Sequence, residues 1–231
     1  MVKRDGKEKG MTTLRQSERA YIALRDEIVS SALAPGEALP EAATAARLNV
    51  SRSPVREATR RLANEKLVTI VPGRGAFVAT VSLTDALELY QLREALEPLA
   101  CRLAANHPDE ARLTATLAAM REASKLITGG NIAAYHQLCG DMDRAIVSMT
   151  GNARLESMLT EVWLQAARMR GIADSNATRL MESVSEHEQL LRAIIERDAT
   201  LAESLCRAHI RRSMQNVFSS IQGHGSVLLD H

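Results

Sequence analysis

Aromatic residues are scarce: only 3% of the 231 residues are Phe, Trp or Tyr, with a single Trp and two Phe. A chain poor in these strand formers and rich in Ala, Leu, Arg and Glu favours helices over sheets. Cysteine is also sparse. Cys101, Cys139 and Cys206 are odd in number and widely spaced, which argues against a disulfide framework and for free thiols in a reducing compartment. Cys101 and Cys206 read as buried structural residues. No apolar run approaches the roughly 18 residues needed to span a bilayer, and residues 1–10 are charged where a secretory signal would be apolar. The chain therefore reads as cytoplasmic, with no membrane partner. It also lacks internal repeats, low-complexity segments and a Gly-rich phosphate loop.

What is present is ample apolar material, 45% of the residues, in a length comfortable for two domains. The formal net charge of +1 conceals an asymmetry. Residues 1–80 hold 14 Lys and Arg against 9 Asp and Glu, a balance of +5, and residues 81–231 hold 15 against 19, a balance of −4. A basic first third joined to an acidic remainder implies that only the first part meets a polyanion.

Residues 1–16 are polar, lack apolar periodicity and read as a flexible tail. Over 17–32, Tyr21, Leu24, Ile28 and Val29 recur at helical spacing and the pattern stops before Pro35-Gly36. A short helix follows over 41–48, and Asn49 stands where the chain must reverse, a place that tolerates left-handed backbone. Ser51 or Ser53 then caps a third helix, with Pro54 in its first turn. Two strand-like runs, 67–71 and 76–79, flank the turn Pro72-Gly73-Arg74-Gly75. Helix, helix, turn, helix and hairpin in this order make a winged helix-turn-helix over 17–80. From residue 82 the pattern is helical throughout, with helices expected over 82–106, 108–128, 132–149, 153–172, 178–197 and 199–222, and a tail over 223–231. The expected fold is mainly α: three helices plus a β-hairpin wing, then an antiparallel bundle of six to seven helices over 81–222.

On the third helix, Val55, Ala58, Thr59 and Leu62 share one side and Arg52, Arg56 and Arg60 form a stripe beside them. Arginine donates bidentately to guanine, and Ser51 and Ser53 at the helix start can donate to phosphates, whose charge a helix N-terminus also favours. The bland alternative is a solvated stripe paired with Glu57. Gly73 and Gly75 let a wing tip approach a DNA backbone, with Arg74 between them in reach of phosphate or minor groove. Arg74 and Arg47 read equally well as plain surface residues.

In the second half, His187 lies about ten residues before the Arg197-Asp198 turn and His209 about eleven after it, so in a helical hairpin they sit at nearly the same height. Cys139 and Asp143, spaced i,i+4, share a face of an earlier helix, and His136 lies on that face too. The set Cys139, Asp143, His187 and His209 is chemically competent for zinc or a similar divalent metal, with thiolate shifting the preference toward softer ions. Metal-free contact with a small molecule, and ordinary packed histidines, are the other two readings. Arg93 and Glu97 fall on a stripe that otherwise faces the core, where a charge needs a partner. They form an intrahelical pair, or Arg93 holds the carboxylate of a ligand.

Pro35-Gly36-Glu37, Ala45-Ala46-Arg47-Leu48-Asn49-Val50-Ser51-Arg52-Ser53-Pro54-Val55-Arg56-Glu57-Ala58 and the Arg-Gly-Ala-Phe-Val of the wing resemble the GntR family of transcription regulators. Leu92-Arg93-Glu94-Ala95-Leu96-Glu97, Thr150-Gly151-Asn152 and Ser185-Glu186-His187 resemble the effector domain of its FadR subfamily, called FCD. The resemblance, over about residues 19–215, implies a homodimer that binds a palindromic DNA operator, acts most often as a repressor, and responds to a small metabolite, typically a carboxylate. It further implies base reading by Arg52 and Arg56, phosphate contacts from Ser51 and Ser53, and a minor-groove contact from Gly73-Arg74-Gly75. The candidate effector contacts are Arg93, His136, Asp143, His187 and His209. Many such domains take a metal on an Asp and a His at i,i+4 plus two later histidines. Here Cys139 stands at the Asp position and Asp143 at the first His position, while His187 and His209 match. Two alternatives stay open: a metal-dependent enzyme in the bundle, against which stand the missing nucleophile with a base and the missing second carboxylate, and a structural DNA binder without a ligand.

Overall fold

The computed structural model describes residues 4–172 and 176–223. Its elements in chain order are α1 (Arg4–Val29), α2 (Glu41–Leu48), α3 (Arg52–Asn64), β1 (Val68–Val71), β2 (Gly75–Val78), α4 (Leu83–Asn106), α5 (Glu110–Thr128), α6 (Ile132–Ser148), α7 (Ala153–Ile172), α8 (Ala177–Ile195) and α9 (Ala199–Gly223). They belong to two compact units. The first runs to Ser82 and includes Ala167–Ile172; the second holds Leu83–Ala166 and the last two helices.

In the first unit α1 begins at Arg4, so most of the stretch expected as a flexible tail over 1–16 is helical. Lys, Glu, Arg, Gln, Met and Leu are good helix formers, and extending an existing helix is far easier than starting one. Residues 1–3, and 224–231 of the expected C-terminal tail, lie outside the described residues. The buried stripe Ala20, Tyr21, Leu24 and Ile28 packs on α3. The Tyr21 hydroxyl donates to the Glu65 carboxylate at 2.8 Å, and the Arg61 guanidinium lies 3.5 Å over the Tyr21 ring. Arg61 is thereby turned toward α1 and leaves the Arg52, Arg56, Arg60 stripe to itself.

Asn49 adopts the expected left-handed backbone, φ 52° and ψ 52°, and Val50 N–H reaches back to the Ala45 carbonyl at 3.0 Å. The reversal is thus closed by backbone hydrogen bonds. Ser51 is the residue before α3, extended at φ −80° and ψ 170°, but its side chain makes no capping bond. Pro54 lies in the first turn, where a missing N–H leaves no helical hydrogen bond unmade. Val55, Ala58 and Leu62 form the buried face of α3. The wing pairs Val68 with Val78 and Val71 with Gly75 in antiparallel register. Gly73 and Gly75 have φ of 74° and 104°, positions where a side chain would be strained.

One pairing was not expected. Val78 N–H donates to the Glu37 carbonyl and Leu39 N–H to the Ala76 carbonyl, both at 2.8 Å, so the chain after Pro35 adds a short third edge to the hairpin. Its partner lies some forty residues downstream, beyond any local pattern. The consequence is that Glu41, which opens α2, comes to lie beside the wing and α3.

In the second unit α4 packs along α9, α5 along α8, and α8 on α9, with Tyr90, Leu113, Met120, Tyr135 and Leu191 fully buried. Helix α4 continues through Pro98, which has no N–H to give the Glu94 carbonyl. Arg207 of α9 supplies the missing donor: its Nη1 reaches the Glu94 carbonyl at 3.0 Å. Replacing Arg207 with Met keeps the packing of its stem and leaves that carbonyl unmet, so a loss of about 1–2 kcal/mol is expected in urea unfolding, whereas Arg207→Lys should retain part of it. Among the described residues no helix is long and apolar enough to cross a membrane.

Candidate nucleic-acid interface and effector site

Ser51, Arg52, Ser53, Arg56 and Arg60 are all exposed, as are Gly73, Arg74 and Gly75 at the wing tip. Arg56, Arg60 and Arg74 line one groove of about 390 Å3 together with Glu41, Thr59 and Ile70. Helix and wing thus build a single positively charged concavity. Arg74 also lies 5.9 Å over the Phe77 ring. The stripe is solvated, but the carboxylate paired with Arg56 is not Glu57. Arg56 is engaged by Glu41 instead, Nε to Oε1 at 2.8 Å and Nη2 to Oε2 at 2.7 Å. These hydrogen bonds hold the Glu41 carboxyl below its ordinary range, and Arg52 and Arg60 pull in the same direction. Arg47, ambiguous from sequence, is tied to Glu27 of α1 by two hydrogen bonds, one of 2.8 Å.

The second site sits in the helical unit. His187 of α8 and His209 of α9 meet as their equal heights implied, Nε2 to Nε2 at 3.3 Å. On the far side of the His187 ring, Nδ1 faces the Cys139 thiol at 3.8 Å. The far nitrogen of His209, Nδ1, lies 2.6 Å from the Glu186 carboxylate. Each contact has one consistent donor assignment: Cys139 S–H to His187 Nδ1, His187 Nε2–H to His209 Nε2, and His209 Nδ1–H to Glu186. Glu186 also accepts from Arg179 at 2.9 Å and from Arg212 at 3.0 Å. Although burial opposes its charge, the hydrogen bonds from His209 and Arg179 bring its pKa down to about 2.

The four-residue metal set comes together only in part. Two nitrogens of a tetrahedral zinc site stand about 3.3 Å apart, as follows from bonds of about 2.0–2.1 Å, and the facing Nε2 pair meets that spacing. Cys139, however, addresses the opposite nitrogen of His187, and among the described residues no three His, Cys, Asp or Glu side chains are gathered closely enough for one ion. Asp143 lies within electrostatic reach of Arg93. His136 is half buried with its ring 5.8 Å from that of Tyr135. Arg93 takes the intrahelical arrangement, with Nε 2.6 Å from Glu97 Oε1 and Nη2 3.3 Å from Oε2, both side chains under one tenth exposed.

The expected absence of a second carboxylate is corrected by Glu186. A helical wheel turns it away from its neighbour His187, since i,i+1 residues do not share a face, yet that orientation carries it to His209 on the next helix. Arg179, seven residues earlier on the same face, was the available signal. The buried hydroxyls of Tyr90 and Tyr135 make no hydrogen bond of normal geometry, although Ser183 and Cys139 lie near that of Tyr135.

The cluster has a consequence for acid stability. Burial lowers the His209 pKa despite its bond to Glu186. The unfolded chain therefore takes up that proton first, and stability falls as the pH drops below about 6.5, by up to about 1.4 kcal/mol per pH unit. The depressed Glu186 acts in the same direction lower down, between its ordinary value of 4.5 and about 2. Urea unfolding at pH 7.5 and 5.5 should show a smaller loss for His209→Gln than for the unaltered protein; an equal loss would mean that His209 is not the group titrating.

Two family models match this chain. Residues 16–78 match the bacterial regulatory proteins of the gntR family and residues 88–212 the FCD domain. An uncharacterized HTH-type transcriptional regulator in an unstable DNA locus of Streptomyces ambofaciens is 29% identical over 220 residues, covering 90% of this chain and 87% of the relative. The Escherichia coli transcriptional repressor RspR is 26% identical over 208 residues, covering 87% and 88%. The solved structure of Escherichia coli McbR superimposes with a TM-score of 0.75 over 91% of this chain and 99% of the other at 23% identity, a likeness of fold. These relatives are named as transcriptional regulators, which removes the metal-dependent enzyme from consideration. The chain belongs to the GntR family of bacterial transcriptional regulators, with a winged helix-turn-helix DNA-binding part followed by an FCD domain.

Proposed function

We propose that this regulator is a cytoplasmic homodimeric repressor of a palindromic operator, released or retained by a small carboxylate metabolite in its helical unit. The observation that carries the DNA half is the shared wall of Arg56, Arg60 and Arg74 in one exposed groove. With Arg52 on the same stripe, the helix supplies bidentate donors for the major groove, Ser51 and Ser53 position it on phosphates, and the Gly73-Arg74-Gly75 tip meets the adjacent backbone or minor groove. Leu83 and Leu87 of α4 are exposed one helical turn apart, an apolar pair that a second copy would cover in the dimer.

The effector half rests on the His187, His209 and Glu186 cluster and the unmet hydroxyls of Tyr90 and Tyr135. Asp143 and His136 complete the candidate lining. A carboxylate entering here would compete with Glu97 for Arg93. In the arrangement described, the residues do not make a complete metal site, so a metal-free effector is the favoured reading. Titrating the protein with a panel of small carboxylic acids, with and without added zinc, and following both thermal midpoint and release of labelled operator DNA tests this. A zinc requirement for effector binding would reinstate the metal reading, and no response to any acid would remove the carboxylate.

A further inference from the structure

We infer that Glu41 is a positioning and specificity-determining residue for DNA: it fixes the Arg56 guanidinium so that only one of its two hydrogen-bonding edges is offered to a base. This rests on the proposed role of Arg56 as a base reader. Arginine's planar fork has a side edge, Nε with Nη2, and an end edge, Nη1 with Nη2. Glu41 occupies the side edge with two bonds, 2.8 Å from Nε and 2.7 Å from Nη2. The end edge is left as the pair of donors able to meet guanine O6 and N7.

Glu41 is itself well anchored. It is the first residue of α2, where a carboxylate is favoured by the helix dipole, and α2 is held next to α3 by the tight Asn49 reversal. Its backbone follows directly on the Gly36–Leu39 edge paired with the wing. A flexible arginine loses rotamer freedom when it docks on a base; one already held loses less. The same carboxylate, placed among Arg52, Arg56 and Arg60, is a negative charge in a groove that otherwise attracts phosphate. It weakens the attraction to DNA of any sequence, and only a base pair that takes both end-edge donors makes up the difference. Glu41 therefore trades general affinity for discrimination.

Because the operator is unidentified, the probe is a pool of duplexes with a randomised core, selected by full-length protein and sequenced, for unaltered protein, Glu41→Ala, Glu41→Gln and Arg56→Ala. The Glu41 variants should lose base preference at the same position of each half-site that Arg56→Ala loses, by on the order of ten-fold, the worth of a good bidentate contact. Preference at every other position should be retained, and binding to the unselected pool should tighten. A general weakening of the fold would lower affinity at all positions alike and cannot imitate this pattern. Loss of a position with Arg56→Ala but retention with both Glu41 variants overturns the inference alone. Retention with Arg56→Ala as well overturns the base-reading role beneath it, and the inference with it.

Discussion

Replacing Arg52 and Arg56 together with alanine should reduce the ratio of operator to random-duplex affinity by at least two orders of magnitude, while binding to random duplex falls only modestly. Each bidentate arginine–guanine contact contributes about 1–3 kcal/mol of discrimination, and in the proposed symmetric dimer two in one half-site would be doubled. Both side chains are exposed on a helix whose buried face is formed by Val55, Ala58 and Leu62, so the substitution leaves the core untouched. The contrast with Arg74→Ala and Ser53→Ala separates roles: those changes should weaken operator and random duplex alike, and Arg74→Ala, which removes a cation, should also flatten the salt dependence. Fluorescence anisotropy at several salt concentrations distinguishes the two patterns. Equal losses for specific and random duplex in the Arg52 and Arg56 variant would assign them to the phosphates instead.

The second large effect lies at Arg93. The side chain of its partner Glu97 is 8% exposed and that of Arg93 4%. Removing one member of such a pair leaves a charge with neither water nor counter-ion, at a cost of about 3–5 kcal/mol. Arg93→Met should therefore destabilise the helical unit severely, since Asp143 loses a neighbouring cation at the same time. Changing both, Arg93→Met with Glu97→Met, should recover most of the loss, because two apolar side chains of similar volume replace a pair whose desolvation roughly offsets its attraction. Urea unfolding of Arg93→Met, Glu97→Met and the double variant completes the cycle. Glu97→Gln carries a functional corollary. If Arg93 receives the effector carboxylate, removing its resident competitor should tighten effector binding; unchanged affinity would leave Arg93 a purely structural member of α4.

What was legible in the sequence was whatever depends on near neighbours along the chain. The Asn49 reversal, the Gly73 and Gly75 turn and the Val55, Ala58, Leu62 face each follow from local backbone preference or helical period, and the structure has them. The meeting of His187 and His209 was legible too, because a helical hairpin with a known turn has only one way to align its arms. Contacts between elements distant in sequence were hidden. Nothing near Arg56 announces that Glu41 will hold it, because the contact depends on how α2 crosses α3. Nothing in α4 announces that the carbonyl orphaned by Pro98 will be met by Arg207 from the far end of the chain. Glu186 was passed over for the same reason: its partners His209 and Arg212 are on another helix. The metal set is the reverse case. Helical faces bring Cys139 near His187, but a face does not say which ring nitrogen it will meet.

The central claim is that α3 and the wing form one sequence-reading surface on a dimeric regulator. Selecting duplexes from a randomised pool with the full-length protein at physiological salt tests it most directly. Enrichment of an inverted repeat, with guanine-containing half-sites spaced by about one helical turn and lost on Arg52→Ala with Arg56→Ala, is the expected result. Recovery of an unenriched pool, or of a motif unchanged by those substitutions, would contradict it.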